Sequence, residues 1–591
     1  MQLFILRSTS RRIDSYAVCN IIILVVIFFF GEIQTRRPPY HYDHHHHRFG
    51  PPRRNYRGAV VANGKGCADV GINIMKKGGN AVDVAIATLL CEGITMPSTM
   101  GLGGGFFMSI FDKSSGEVIS LDARETAPAD AYQDMFSGNS TLARAGGLSV
   151  AVPGELRGYW EAYNKYGGGV PWKELFRNPI KQCRFGIYVN KFIAKVMATN
   201  RDILYADPAM RSVFINKVTN GTYKEGEYYR NMALAKTLDI IAREGGDALH
   251  NGSLTANFVN DIQAKNGIIT VEDMNQYSPK WKNPIETTLF NGISMYSFPL
   301  PGSGPIVSYI MNILDGFLDS SNHTSVTNYQ RLVESLKFGY GARTQLGDDD
   351  FVDLDEYLNQ LILQSYAEET RGRIFDNITF QDPEYYGAYS GNVEDHGTSH
   401  ICVLAQNGDA VSVTSSINYV FGAKFMSEST GIILNDSMDD FSLPGETNQF
   451  GLPPSPTNYI VPNKRPMSSM TPVIFLDSNR EVVMITGGAG GSKIISNVIQ
   501  VMVNHLLYGM DLKSSIDAIR LHHQLIPMIL TFESEFMTQA PNVVEYLQHV
   551  GHNITFNAAD GFASITAISR DARLGVTGAA DRRRLGDVAY I

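Results

Sequence analysis

Two strand-like runs, residues 399–405 and 410–415, face each other across Asn407-Gly408. Asn-Gly is the strongest short hairpin signal, because both residues accept positive φ. Such a hairpin commits both strands to one antiparallel sheet, and the first strand starts directly behind Gly397-Thr398. A second pair, residues 564–568 and 576–580, flanks a turn around 571–575, and residues 481–486 form a strand that empties into Gly487-Gly-Ala-Gly-Gly491. Helical patterns such as residues 493–508 follow. Strands and helices intermixed in this way predict layered α+β packing.

Upstream, residues 156–389 read as mostly helical. A helix over 69–75 is stopped by Lys76-Lys-Gly-Gly79, and Asn80 offers an N-cap for an Ala/Leu-rich helix over 81–90. Cys67 and Cys91 fall on these neighbouring helices and are candidate disulfide partners in an oxidising compartment; Cys183 and Cys402 read as buried thiols. Five cysteines without a C-x-x-C pair suggest neither a disulfide scaffold nor zinc. A net charge of −9 argues against nucleic acid as a partner, which wants a concentrated basic surface. The acidic run 348–353 lacks the alternating ligands and distal glutamate of a calcium loop, so a solvated turn is expected.

Arg7, Arg11 and Arg12 precede an apolar stretch over residues 16–30, the signature of a segment handled by the secretory translocon. No small-x-small cleavage site follows it. Residues 1–34 are therefore read as an uncleaved anchor, holding a single-pass type II protein on the extracellular face of the plasma membrane. The alternative is a cleaved signal peptide and secretion. Residues 35–57, rich in Arg, Pro, Tyr and His, read as a flexible stalk. Glycosylation acceptors at Asn139, Asn220, Asn251, Asn322, Asn377 and Asn553 fit export.

Chemistry concentrates in His396-Gly-Thr-Ser-His-Ile-Cys402. His396 and His400 have the spacing of a helical zinc pair, but Gly397 and the strand behind it oppose a helix. Ser399 lacks the flanks of a Gly-x-Ser-x-Gly elbow. A plain hairpin entrance needs no function. A threonine after glycine at a strand start also suits a nucleophile released by cleavage on its N-terminal side. The freed α-amine, with a pKa of about 8, can then take the proton of its own hydroxyl.

The surroundings decide among these. Thr398-Ser-His, Thr414-Ser-Ser-Ile-Asn418, Met438-Asp-Asp-Phe441, Pro466-Met-Ser-Ser-Met470 and Gly487-Gly-Ala-Gly-Gly-Ser492 resemble the γ-glutamyltransferase (γ-glutamyltranspeptidase) family, in the same order. So do Lys77-Gly-Gly-Asn-Ala-Val-Asp83, Gly101-Leu-Gly-Gly-Gly105, Asp122-Ala-Arg-Glu-Thr-Ala-Pro128 and Val152-Pro-Gly-Glu-Leu-Arg-Gly158. The resemblance covers residues 58–591. It implies the αββα four-layer sandwich of N-terminal-nucleophile hydrolases, built from a large subunit, 58–397, and a small one, 398–591, as a heterodimer of one self-cleaved precursor. It implies transfer of the γ-glutamyl group from glutathione and other γ-glutamyl donors to water or to an amino acid or dipeptide acceptor. No metal or organic cofactor is expected.

The resemblance also implies roles. Gly397 and Thr398 flank the cleavage point, and Thr398 is the nucleophile, positioned with help from Ser416. The amides of Gly490 and Gly491 form the oxyanion hole. Arg124, with Ser468 and Ser469, grips the donor α-carboxylate, while Asp440 and Asn418 hold its α-ammonium. Ser437 stands where animal members often have glutamate and bacterial ones glutamine, which predicts weaker or altered donor binding. Asn435 also heads a sequon, but a pocket position rules out a glycan. Two other readings are a processed but feeble homologue serving as a secreted or surface binding protein, and an acylase of cephalosporin-type amides. Arg124 with Ser468 and Ser469 speaks for a free amino-acid donor head instead.

Overall fold

The computed structural model describes residues 56–289, 292–391, 397–445, 453–571 and 575–591. The anchor, nearly all of the stalk and His396 lie outside the described residues.

Two antiparallel sheets form the centre. The first orders its strands Asp587–Tyr590, Ala59–Ala62, Ser399–Leu404, Ala410–Ser416, Gly105–Asp112, Glu117–Ala123 and Lys280–Lys282. The second runs Gly575–Ala580, Ser564–Asp571, Val482–Ala489, Val473–Leu476, Ile293–Ser297 and Ile285–Leu289. Their inner faces meet through Val61, Phe111, Cys402, Leu404, Ile485 and Ile568, all buried. The outer face of the first sheet is covered by helices including Cys67–Lys76 and Ala81–Thr95, and that of the second by Gly304–Leu314, Val326–Arg343 and Lys493–Met502. Each sheet thus buries both faces, which gives four layers, αββα. Both sheets combine strands from before and after residue 398, which pair directly with one another.

Local chemistry sets the element ends. Asn80 Oδ1 accepts from the Val82 and Asp83 amides at 3.1 Å, and Asp83 returns the bond to the Asn80 amide, a capping box. Cys67 and Cys91 are joined in a disulfide, and Cys183 and Cys402 are buried and unpaired. The 399–416 hairpin forms, with Ser399 opposite Ser415 and Leu404 opposite Ala410. Its turn is longer than a two-residue loop. Gly408 alone takes positive φ, and Ala405 and Asp409 close the turn by a 2.8 Å backbone bond.

Residues 156–389 are mostly helical, as expected, but they also supply strands to both sheets. Lys280–Lys282 edges the first sheet, while Ile285–Leu289 and Ile293–Ser297 extend the second. The acidic turn is also less solvated than expected. Asp348 is buried and accepts from the Arg465 amide, and Asp349 and Asp350 pair with Lys282 and Lys280. Among the described residues no helix is long and apolar enough to cross a membrane.

Candidate active site

Thr398 immediately precedes Ser399–Leu404, an inner strand of the first sheet, and is 2% exposed. Its hydroxyl donates to the Gly397 carbonyl oxygen, the bond on its own N-terminal side. Ser416 Oγ donates to the same oxygen at 2.6 Å and accepts from the Asn418 amide at 2.9 Å. Two hydroxyls therefore converge on one carbonyl. A Cβ at Gly397 would collide with the Asn418 carbonyl oxygen, so the close approach requires glycine. Asn418 itself adopts a left-handed φ of 68°, a strained conformation for a residue with a side chain.

The second sheet brings the glycine-rich segment to the same end. Cys402 Sγ contacts the Ile485 carbonyl, and the His400 ring lies where a Cβ of Gly487 would be. Two residues further on in the same direction the strands reach Thr398 in the first sheet and Ala489 in the second. There the strand turns through Gly490 and Gly491, at φ 145° and 65°, into the N-terminus of helix Lys493–Met502. Amides at such a helix start are oriented to stabilise negative charge.

Arg124, just past the end of strand Glu117–Ala123, is 1% exposed. Its guanidinium pairs with Asp440 and, at 3.2 Å, with Glu125. Asp440 closes the short turn Ser437–Asp440, where all four residues are buried. Glu125 Oε1 accepts from Ser437 Oγ at 2.9 Å, and burial raises its pKa although the Arg124 charge opposes this. Glu125 Oε2 would lie 2.8 Å from a Cβ on Gly105, the residue opposite Ser416, which links this cluster to the nucleophile strand. Asn418 Nδ2 donates to the Asp436 carbonyl, and the buried Oδ1 has no hydrogen-bond partner among the described residues. Ser468 and Ser469 are buried too; Ser469 Oγ accepts from Arg343 at 3.2 Å.

The expected pocket residues are buried, apart from Gly490, which is partly exposed. The ion pair between Arg124 and Asp440 was not foreseen, since each was expected to face a different part of a ligand. The contacts of Glu125 with Arg124, of Arg343 with Ser469 and of Arg584 Nη1 with the Thr398 carbonyl were also missed. Glu125 is adjacent to Arg124 in a motif already singled out. Arg584 belongs to the run Arg582-Arg-Arg584, which in sequence looks like a solvated face. The zinc reading meets a spatial objection: both His400 nitrogens contact hydroxyls, Thr414 at 2.7 Å and Ser412 at 3.3 Å. Burial pushes this ring down to about 3, so it is neutral. The sequon at Asn435 is buried, whereas the other six acceptor asparagines are exposed.

A family model described as Gamma-glutamyltranspeptidase matches residues 67–591. The chain belongs to the γ-glutamyltranspeptidase family. It is similar to Scoloptoxin SSD14 of Scolopendra dehaani, 40% identical over 536 residues that cover 90% of this chain and 92% of the relative. It is also similar to Glutathione hydrolase proenzyme 2 of Schizosaccharomyces pombe, at 37% over 509 residues, 85% of this chain and 81% of the relative. Among solved structures, the cephalosporin acylase from Bacillus halodurans has a TM-score of 0.77, covering 93% of this chain and 99% of that one. At 22% identity this is a likeness of fold alone.

Proposed function

We propose that the chain is a self-processing γ-glutamyltransferase and glutathione hydrolase, cut between Gly397 and Thr398, with Thr398 as nucleophile. The observation that carries this reading is the Gly397 carbonyl held between the Thr398 and Ser416 hydroxyls. In self-cleavage, Thr398 Oγ1 adds to the Gly397 carbonyl carbon while Ser416 stabilises the developing oxyanion. The C–N bond then breaks, the nitrogen takes the hydroxyl proton, and Gly397 is left as an ester on Thr398. Water opens that ester, giving a Gly397 carboxylate and a free Thr398 α-amine. The two products remain together because strands of both pair with one another in each sheet, Ala59–Ala62 with Ser399–Leu404 in the first and Ile293–Ser297 with Val473–Leu476 in the second.

The same pocket suits the zwitterionic head of a γ-glutamyl donor such as glutathione. Its α-carboxylate would face Arg124, supported by Ser468 and Ser469, and its α-ammonium would face Asp440 and Asn418 Oδ1. Such a head replaces one buried ion pair by two, so neither charge is left alone in the pocket. With the head fixed, the γ-carbonyl is presented to Thr398 Oγ1, whose proton passes to the α-amine. The Gly490 and Gly491 amides receive the oxyanion, the amine product leaves with that proton, and water or an acceptor amine opens the γ-glutamyl ester.

The disulfide and the exposure of six sequons support a luminal or extracellular location for the folded body. Denaturing electrophoresis with N-terminal sequencing tests the cleavage: a small chain must begin Thr-Ser-His. A γ-glutamyl chromogenic amide, assayed with wild type and Thr398→Ala, tests the chemistry. Absence of turnover by a cleaved wild type would leave a binding protein and refute the enzyme.

A further inference from the structure

A second pair of buried charges lies behind the nucleophile, away from the donor cluster. Arg584 is buried, its guanidinium stacks 5.2 Å from the Phe192 ring centroid, and Nη1 donates to the Thr398 carbonyl oxygen. Glu92, 0% exposed on helix Ala81–Thr95, accepts from the Gly64 amide at 2.6 Å. Its carboxyl is further stabilised by the Ser399 hydroxyl and the Arg584 charge. Residue 399 follows the nucleophile, so these two ionisable groups flank Thr398–Ser399 from the helix layer and from the C-terminal loop.

We propose that Arg584 is a positioning residue that holds the Thr398 backbone and keeps the α-amine freed by cleavage in its unprotonated, basic form, with Glu92 tempering that effect. This rests on the self-cleavage reading above. A carbonyl oxygen and the nitrogen of the same residue are only three bonds apart, so the guanidinium stands about 5 Å from the amine. A fixed cation at that range disfavours a second positive charge, which lowers the amine pKa. The amine can then accept the Thr398 hydroxyl proton at neutral pH, where an unperturbed one, with a pKa of about 8, is mostly blocked by its own proton.

The other groups facing this point do not cancel the field. Burial lowers Arg584 to about 10, which still leaves it charged near neutrality. Burial raises Glu92 to about 7, so it is only partly charged there. Asp581 acts on Arg584 too, but its carboxylate is already engaged by Arg520 and Arg583. On the hairpin side, Glu155 accepts from Ser415 and is raised by burial to about 8, hence largely neutral. His400 is neutral as well. On the donor side, Arg124 is balanced by Asp440 and Glu125.

The test is the acid limb of kcat/KM, which reports the essential base of the free enzyme. Arg584→Gln keeps a donor for the Thr398 carbonyl but removes the charge; its acid limb should move up by about one pH unit. Arg584→Lys should restore the wild-type profile. Glu92→Gln removes the tempering charge and should move the limb down, by about half a pH unit. A purely structural role predicts lower activity with the limbs in place. Unmoved limbs, or shifts of the same sign in Arg584→Gln and Glu92→Gln, overturn the proposal. Should Arg584→Gln remain uncut, Glu92→Gln decides alone: a downward shift supports the assignment and any other result overturns it. An uncut or inactive wild type overturns the proposed function as well; a cut, active wild type with unmoved limbs overturns only this assignment.

Discussion

The Ser437 hydroxyl donates a 2.9 Å hydrogen bond to Glu125 Oε1, while Glu125 Oε2 lies 3.2 Å from the Arg124 guanidinium. The Ser437 hydroxyl carries no charge to offer a ligand, and it acts instead on a carboxylate that sits beside Arg124. A hydrogen bond to a buried charged group contributes about 1.5–3 kcal/mol. Ser437→Ala should release Glu125 to compete for Arg124 and raise the donor KM about tenfold, with kcat less affected. Steady-state kinetics on a γ-glutamyl amide decides this, and an unchanged KM would remove Ser437 from the pocket.

Arg124 reaches both Glu125 and Asp440, a geometry that needs the planar, forked guanidinium. Lysine keeps the charge but presents a single point donor. Breaking one partner out of a buried pair costs about 3–5 kcal/mol. Arg124→Lys should therefore mature normally, because Arg124 is absent from the cleavage site, yet lose about 100-fold or more in kcat/KM. Near-wild-type kinetics would show that the donor carboxylate binds elsewhere.

Gly397 is tied to its place by the Asn418 carbonyl, which occupies the space a Cβ needs. Overpacking of this kind costs about 1–3 kcal/mol, and here it would displace the carbonyl under attack. Gly397→Ala should slow precursor cleavage at least tenfold, read as the ratio of uncut to cut chain over time after synthesis. Cleavage at the wild-type rate would mean that the Gly397 carbonyl is not held as described.

What the sequence disclosed and what it hid follow from the physics of each feature. The 399–416 hairpin was legible because strand alternation and a Gly turn are local. The four layers followed only from motifs, since which face of a sheet is covered is a long-range property. The strand Ile285–Leu289 alternates in burial, but its short run next to long helices obscured it. Thr398, Asp440 and the glycine pair were singled out through their neighbours in motifs. Arg584 was not, because a run of three arginines gives no sign that one of them meets the Thr398 carbonyl 186 residues away.

The Cys67–Cys91 disulfide closes a loop with a sequence separation of 24. Loop entropy for that length is worth about 3.5 kcal/mol. Cys67→Ala with Cys91→Ala should lower the urea midpoint of the body, and addition of reductant should lower that of the wild type to match. A reductant-insensitive wild type would show that the bond does not form in the mature protein.

Glu155 offers a pH test that involves no substrate. Its carboxyl is fully buried between the Ser415 hydroxyl, at 2.9 Å to Oε1 and 2.8 Å to Oε2, and the Tyr159 hydroxyl. Desolvation by burial raises its pKa to about 8, against the effect of these hydrogen bonds. A carboxyl raised in the folded state binds a proton that the unfolded chain has already released. Stability is therefore intact below the unfolded value of about 4.3 and declines as pH rises towards about 8, by up to about 1.4 kcal/mol per pH unit. Glutamine mimics the protonated carboxyl at every pH. Glu155→Gln should thus melt close to wild type at pH 5 and progressively above it between pH 6 and 8. Glu92 and Asp436, both raised to about 7 by burial, give wild type and variant the same background slope, so the difference between the two curves isolates Glu155. Parallel melting curves across this range would place an ionised Glu155 in the fold.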